Sequence, residues 1–427
     1  MYELENVLRP YAWGSTTAIA GLLGRPATGG PEAELWIGAH PDSPSLALTG
    51  ADGSGADDGA DDGGRLALDG LIAGDPEHHL GADSVAEFGP RLPFLLKVLA
   101  AERPLSLQVH PTLEQARAGF AREEAAGVDR SAATRNYKDD NHKPEMIFAL
   151  TPFEALCGFR PAAEPRAVFA HLAACFDLAG LELPALLPRL LDDLAQPDEP
   201  AALRSAFERL ITGGADVAAA TDAVVAALVS GAPMGSHVAE LTTVVNLNQE
   251  YPGDPGVLIS LLLNRISLAP GEAVYLPAGN VHAYLHGLGI EVMASSDNVL
   301  RGGLTPKFVD VPELLQTVAF DAVGVPRLSA ETTMLGQELY RPPFREFALQ
   351  RVELLPGAEP VPLAQSGAAV IIVVSGAVLL DSPKGDLQLE RGASAFLPAA
   401  EAPVNVHPVT GATGPAVAFA VTTGMKA

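Results

Sequence analysis

The chain has 427 residues, 48% hydrophobic and 19% charged, with 42 Gly and 36 Pro, which excludes both wholesale disorder and a long helical bundle. At roughly 150 residues per domain, about three domains are expected, with core enough to need neither disulfide staples nor a structural metal. A net charge of −25 excludes a nucleic-acid partner, because binding phosphates takes a surplus of Lys and Arg. Two cysteines, Cys157 and Cys175, cannot build a disulfide framework and point to a reducing compartment. The N-terminal Met-Tyr-Glu-Leu-Glu-Asn carries acids where a secretory signal carries bases. The longest apolar runs, such as Ala368–Val374, are too short to span a bilayer, so a cytoplasmic protein with no membrane partner is expected.

In chain order, residues 10 to about 109 show short apolar runs cut by Gly and Pro. The Asp/Gly-rich stretch from Gly50 to Gly64 reads as a solvent loop, since a calcium site would need a ligand cage and a terminal Glu. Phe94–Leu99 reads as a buried strand, and Leu105–His110 alternates, which puts Ser106, Gln108 and His110 on one face of a strand. Between 160 and 248 the period changes. Leu203, Phe207, Leu210 and Ile211 recur at helical spacing, stopped by Gly213-Gly214, and two similar patterns follow. Three to five helices are expected there, within a chain otherwise rich in strands. Strands return near 255, and Val370–Leu380 reads as a hairpin turning at Ser375-Gly376.

Three places supply metal-ligand side chains: Gln108 with His110, then Glu145 in His142-Lys143-Pro144-Glu145, then His282. The last follows Gly271, five residues, Pro277, one residue, Gly279, two residues. That spacing resembles the second motif of cupin β-barrels, whose turn delivers a His into the barrel mouth; His286 stands where those proteins usually carry Asn. The resemblance extends further. Tyr11-Ala12-Trp13-Gly14-Ser15, Glu34–Pro41, Gln108–Pro111, Asp140–Met146 and Ser296–Lys307 together resemble type I mannose-6-phosphate isomerases.

The resemblance implies a mainly β fold, two cupin-type jelly-roll β-barrels with an inserted α-helical domain. It places a catalytic barrel at 1–155 plus 250–325, the helical insert at 156–249, and a metal-free C-terminal barrel at 326–427. It implies one zinc per chain on Gln108, His110, Glu145 and His282, a donor set that leaves part of the ion's charge unquenched. The implied reaction interconverts mannose 6-phosphate and fructose 6-phosphate through an enediolate, which needs a base and a stabiliser for the oxyanion but no redox chemistry. The implied partner is a small phosphosugar. Arg301 matches the family's active-site arginine. Lys143 and Glu291 are candidates for proton handling, Glu291 the favoured base. Lys97, Ser106 and Lys307 are expected to contact substrate, with Tyr284 and Trp13 as pocket walls.

Lysine usage adds an independent clue. Only six lysines occur against 21 arginines, and four of the six (Lys97, Lys138, Lys143, Lys307) lie in or beside these segments. An anionic substrate approaching so acidic a chain needs a local reversal of field, which Lys97, Lys143, Arg301 and Lys307 are placed to give. Two other readings use the same residues. Two His and a carboxylate suit a non-haem iron oxygenase, although Gln108 would occupy a position oxygen needs; a cupin that binds phosphosugar without turnover is the other. Lastly, Gly392 to Pro398 repeats the Gly271-to-Pro277 spacing, with Pro403 where His282 stands, and suggests a second barrel without the metal ligand.

Overall fold

The computed structural model describes residues 1–49 and 64–425, so most of the Asp/Gly-rich stretch lies outside the described residues. Among those described, 24 strands form sheets of 11, 9 and 4 strands. The expected strand at Phe94–Leu99 runs Phe94–Ala101 and is buried at all eight positions. Burial on both faces explains its apolar pattern, broken only by Lys97. Leu96, Val98 and Ala100 enter one core, while Leu99 and Ala101 enter another on the opposite face.

The spine of the 11-stranded sheet is His282–Ala294, 13 residues long. It pairs with Phe94–Ala101, Glu145–Ala149 and Phe153–Phe159, and at its first residue with Gln108. The expected strand at 105–110 is regular only over Gln108–Val109. The amides of Leu105 and Leu107 instead bond the carbonyls of Tyr284 and Gly303, outside any regular ladder.

In the nine-stranded sheet, Tyr2–Glu5 lies between Ser394–Leu397 and Leu46–Leu48. The first strand of the chain therefore joins the sheet made mainly by its last hundred residues, across the 325/326 division expected from sequence. Leu4, Phe94, Leu96 and Ile290 share one core with Phe347, Val370, Ile372, Phe396 and Phe419, so the two large sheets pack through a common apolar layer.

Five helices lie between Ala163 and Glu250. Glu199–Thr212 buries Leu203, Phe207 and Leu210, the stripe visible in its sequence. Gly213 alone separates it from Gly214–Val229, and the axis turns by 96° there. A Cβ at Gly213 would lie 2.7 Å from the Arg209 carbonyl, so glycine permits this tight corner. The helical core continues into Leu107, Val109, Leu300 and Leu304, which sets the helices directly beneath the strand carrying Gln108. No single helix among the described residues is long and apolar enough to cross a membrane.

The hairpin expected at Val370–Leu380 is not one. Ala369–Ser375 and Ala377–Ser382 are both strands, but the first pairs with Ser394–Leu397 and Ala416–Thr422, the second with Gly385–Glu390 and Asn405–Pro408. Gly376, at φ +67°, passes the chain from the nine-stranded sheet to the four-stranded one. The internal repeat does have a structural counterpart. Gly271 and Gly392 sit at φ +94° and +90°, and each precedes a four-residue strand, Ala273–Leu276 and Ser394–Leu397.

Candidate active site

Local turns bring the ligand-type side chains together. The Pro277–Asn280 turn places Gly279 at φ +78°, with its amide donating to the His110 carbonyl at 2.9 Å. A Cβ there would lie 2.9 Å from that of Ala319, so glycine is required both for the angle and for the space. Two residues after the turn, His282 opens the spine strand, directly across from Gln108; Arg301 is Gln108's partner on the other side. His110 follows directly on the strand Gln108–Val109, and after Pro111 the Thr112/Gln115 capping box starts the helix Leu113–Ala125. Glu145 opens its own strand, opposite Leu276 and Met293.

His110, Glu145 and His282 are each less than 5% exposed and form a cluster able to hold a metal ion. Both imidazoles have their tautomer fixed from behind. His110 Nδ1 donates to the Asn298 carbonyl at 2.7 Å, and His282 Nδ1 to the Asn280 carbonyl at 3.0 Å; a carbonyl can only accept. Each Nε2 therefore presents a lone pair, and these face Glu145 Oε2 at 3.4 and 3.2 Å. His110 Nε2 is buried with no hydrogen-bond partner. Three lone-pair atoms converge with no proton to share, an arrangement a cation relieves. Burial pushes the His110 imidazole down to about 4, so it stays neutral near pH 7. Against burial, which alone would raise it, the Lys143 ammonium holds the Glu145 carboxyl well below the usual range. Gln108 Nε2 points to Ser106 Oγ at 3.4 Å, which leaves its amide oxygen as the atom it offers. The chemistry of this set fits zinc.

Above the cluster opens a cleft of about 480 Å³, lined among others by Trp13, Lys97, Ser106, Gln108, Arg301 and Lys307. A chamber of about 40 Å³ lies against the ligands themselves and adds Glu145, His282, Tyr284 and Glu291. Cleft and chamber share Glu34, Lys97, Leu105, Gln108 and Lys143. Glu291 and Tyr284 thus lie one layer below the cleft, and Trp13, stacked on Tyr11 at 5.7 Å, forms part of its wall.

The cations divide into two kinds. Lys97, 5% exposed, lies 2.9 Å from Glu291 and 3.6 Å from Glu34, and packs over the Trp36 ring at 5.1 Å. Although burial alone would lower it, Glu291 and Glu34 raise the Lys97 pKa, so it is a fixed ammonium. Burial outweighs Lys97 at Glu291, whose carboxyl is raised. Lys143 Nζ is 3.0 Å from Glu145 Oε1. By contrast, Arg301, Lys307 and Lys138 face the cleft with no ion pair among the described residues, and burial followed by the charges of Arg301 and Lys138 lowers Lys307. The field reversal expected from sequence therefore falls mainly to these three. Lys138 and the backing residues Asn298 and Glu34 received no role from the sequence. Lys97, which Glu34 meets, and His110, which Asn298 backs, lie far from them in the chain, beyond any local pattern.

Residues 1–162 match the family described as phosphomannose isomerase type I, catalytic domain. Mannose-6-phosphate isomerase of Escherichia coli (strain K12) is 39% identical over 411 residues, covering 95% of this chain and 97% of the relative. The Homo sapiens enzyme of the same name is 33% identical over 423 residues, covering 94% of each chain. A crystal structure of mannose 6-phosphate isomerase with zinc bound superposes with a TM-score of 0.83 at 35% identity, covering 99% of both chains.

Proposed function

The chain belongs to the type I phosphomannose isomerase family, and on that premise we infer that its cleft interconverts D-mannose 6-phosphate and D-fructose 6-phosphate through an enediolate, using one zinc per chain. The observation that carries this reading is the convergence of the His110, Glu145 and His282 lone pairs beneath a cleft rimmed by Arg301, Lys307 and Lys138. His110, Glu145 and His282 would hold the ion, with Gln108 giving a neutral fourth donor. Bound there, zinc supplies a Lewis acid that stabilises negative charge on a sugar oxygen.

The chain's own residues do the rest. Arg301 and Lys307, with Lys138 beside them, bind the phosphate and hold the sugar over the floor of the cleft. Binding energy taken from the phosphate is what orients C1 and C2. Ser106 and Lys97 contact the sugar, and Trp13 and Tyr284 bound its position. Lys143, an ammonium at the boundary of cleft and chamber, donates toward the sugar oxygens. Glu291 is the base, its appetite for a proton increased by burial. Behind Lys97, whose fixed charge keeps the carboxylate poised, it takes the proton from C2 and returns it to C1. Leu99, Leu105 and Ala283, buried around the chamber, limit water at the reacting carbons.

The same reading takes the fold as two cupin-type jelly-roll barrels with the helical segment as an insert, the catalytic barrel formed by the 11-stranded sheet. A cytoplasmic setting is supported by Cys157 and Cys175, both free and buried. The test is His282→Ala, with zinc content and isomerase activity measured on purified protein. Both should be lost together; retention of full activity without bound metal would refute the reading.

A further inference from the structure

We propose that Asp254 is a positioning residue that clamps the Arg301–Lys307 loop in its phosphate-binding conformation; this rests on the reading that the loop holds the phosphate. Leu304 lies midway between the two cations and is the one non-glycine residue at positive φ among those described, at +53°. An L-residue with a branched side chain resists that region because its Cβ crowds the backbone carbonyl. Something must therefore hold it there.

Asp254 does so from the end of the helical segment. Its Oδ1 accepts from the Leu304 amide at 2.7 Å, and its Oδ2 faces the Thr305 amide at 3.4 Å. Asp254 also caps the short helix Pro255–Ile259 through the Gly256 amide at 2.7 Å. Capping accounts for that last bond alone; the bonds to 304 and 305 reach across 50 residues to the substrate loop. The approach is close enough to exclude side chains. A Cβ on Gly303 would lie 2.8 Å from Asp254 Oδ1 and 2.9 Å from Gly256 Cα, and one on Gly256 would lie 2.8 Å from the Leu304 nitrogen. Two glycine backbones are pressed together so that one carboxylate can reach the loop.

The opposite side of the loop is tied to the metal-ligand strand. Gly302 donates to Leu107 at 2.9 Å and Leu107 to Gly303 at 3.0 Å, one residue before Gln108. The Leu304 side chain is 1% exposed, anchored in the helical core. The clamp thus fixes the spacing between Gln108 and the cations at 301 and 307. Arg301, Lys307 and Lys138 repel one another across the cleft, and a loose loop would let them spread apart before substrate arrives. Pre-paying that ordering is what makes phosphate binding tight.

The experiment compares the wild-type holoenzyme with Asp254→Ala and Asp254→Asn. Hydrogen exchange should accelerate in Asp254→Ala at Leu304 and Thr305 and stay unchanged in the sheets. The KM for mannose 6-phosphate should rise about tenfold, equivalent to about 1.4 kcal/mol, with kcat and one zinc per chain retained. Asp254→Asn keeps an oxygen for the 304 and 256 amides, so its exchange and KM should stay near wild type. Unchanged exchange at 304 and 305 in Asp254→Ala would overturn the clamp. So would accelerated exchange with an unchanged KM, or a parallel fall in kcat, zinc and global stability. A wild-type protein that does not isomerise mannose 6-phosphate would instead count against the functional reading, while the exchange data would still decide the clamp.

Discussion

His110 and Asn298, separated by 188 positions, meet where the His110 Nδ1 proton is donated to the Asn298 carbonyl at 2.7 Å. The same asparagine is fully buried, and its side chain organises the loop leading to Glu145. Oδ1 accepts from the Lys138 amide at 2.7 Å, and Nδ2 donates to the carbonyls of Asp139 and Asn141, each at 2.8 Å. One residue thus fixes the tautomer of one metal ligand with its backbone and the approach of another with its side chain.

Asn298→Ala should weaken zinc binding without touching a ligand. Truncation strands the Lys138 amide and the Asn141 carbonyl, and loss of such supporting bonds lowers metal affinity by about 10- to 100-fold. Competition with a chromophoric chelator measures this. Unchanged affinity would mean that the loop is held elsewhere.

Lys307→Ala should act on the phosphate and not on the sugar. The exposed ammonium is free to meet a phosphate oxygen, and a charge-assisted bond lost there raises KM by about tenfold or more. Turnover of free mannose, slow to begin with, should be unchanged. Equal losses on both substrates would place the phosphate at another point of the cleft.

The Lys97–Glu291 pair should separate stability from catalysis. Lys97→Met leaves Glu291 buried without its partner, a change that costs about 3–5 kcal/mol. The double variant Lys97→Met/Glu291→Gln removes both charges of the closer pair, leaving Glu34 to the Trp36 indole N–H, and should regain part of that loss in urea unfolding, yet remain inactive. A double variant as unstable as the single one would show that the pair's charges are not what the fold feels.

Glu346 links the C-terminal region to the active-site loop through His142 Nε2, 2.5 Å from its Oε1. Burial would raise the Glu346 carboxyl, but the bond and charge of His142 outweigh it, and the net displacement is below the ordinary 4.5. A carboxyl depressed by folding stabilises fully above its unfolded pKa and loses that contribution as pH falls through the folded one. Wild type should therefore exceed Glu346→Gln in stability near neutrality, with the gap closing as pH falls below the ordinary 4.5 and through the lowered folded value. Parallel stability curves down the acid limb would contradict the linkage.

What the sequence made legible was local in origin. The Gly271-to-Pro277 spacing encodes a turn, and the same turn recurs at Gly392 with nearly the same φ. The Phe94–Leu99 run declares a buried strand in spite of Lys97, and Leu203, Phe207 and Leu210 declare a helix. Pairing is different. Ser375-Gly376 carries the same local signature whether the flanking strands join each other or part into two sheets, and here they part. Nothing near Tyr2–Glu5 indicates that its partner is Ser394–Leu397. The site divides likewise. Ligand-type residues stand out by spacing, but only the fold reveals that Glu291 and Glu34 occupy the Lys97 charge, or that Asn298 backs His110.

One zinc, held beneath the cleft, is expected to make this chain an isomerase of mannose 6-phosphate. The most direct measurement strips the purified protein of metal and returns zinc in sub-stoichiometric steps, following fructose 6-phosphate formation in a coupled assay. Activity should be absent in the stripped protein, rise linearly with added zinc and break sharply at one equivalent per chain. Undiminished activity in the stripped protein, or a break at two equivalents, would contradict it.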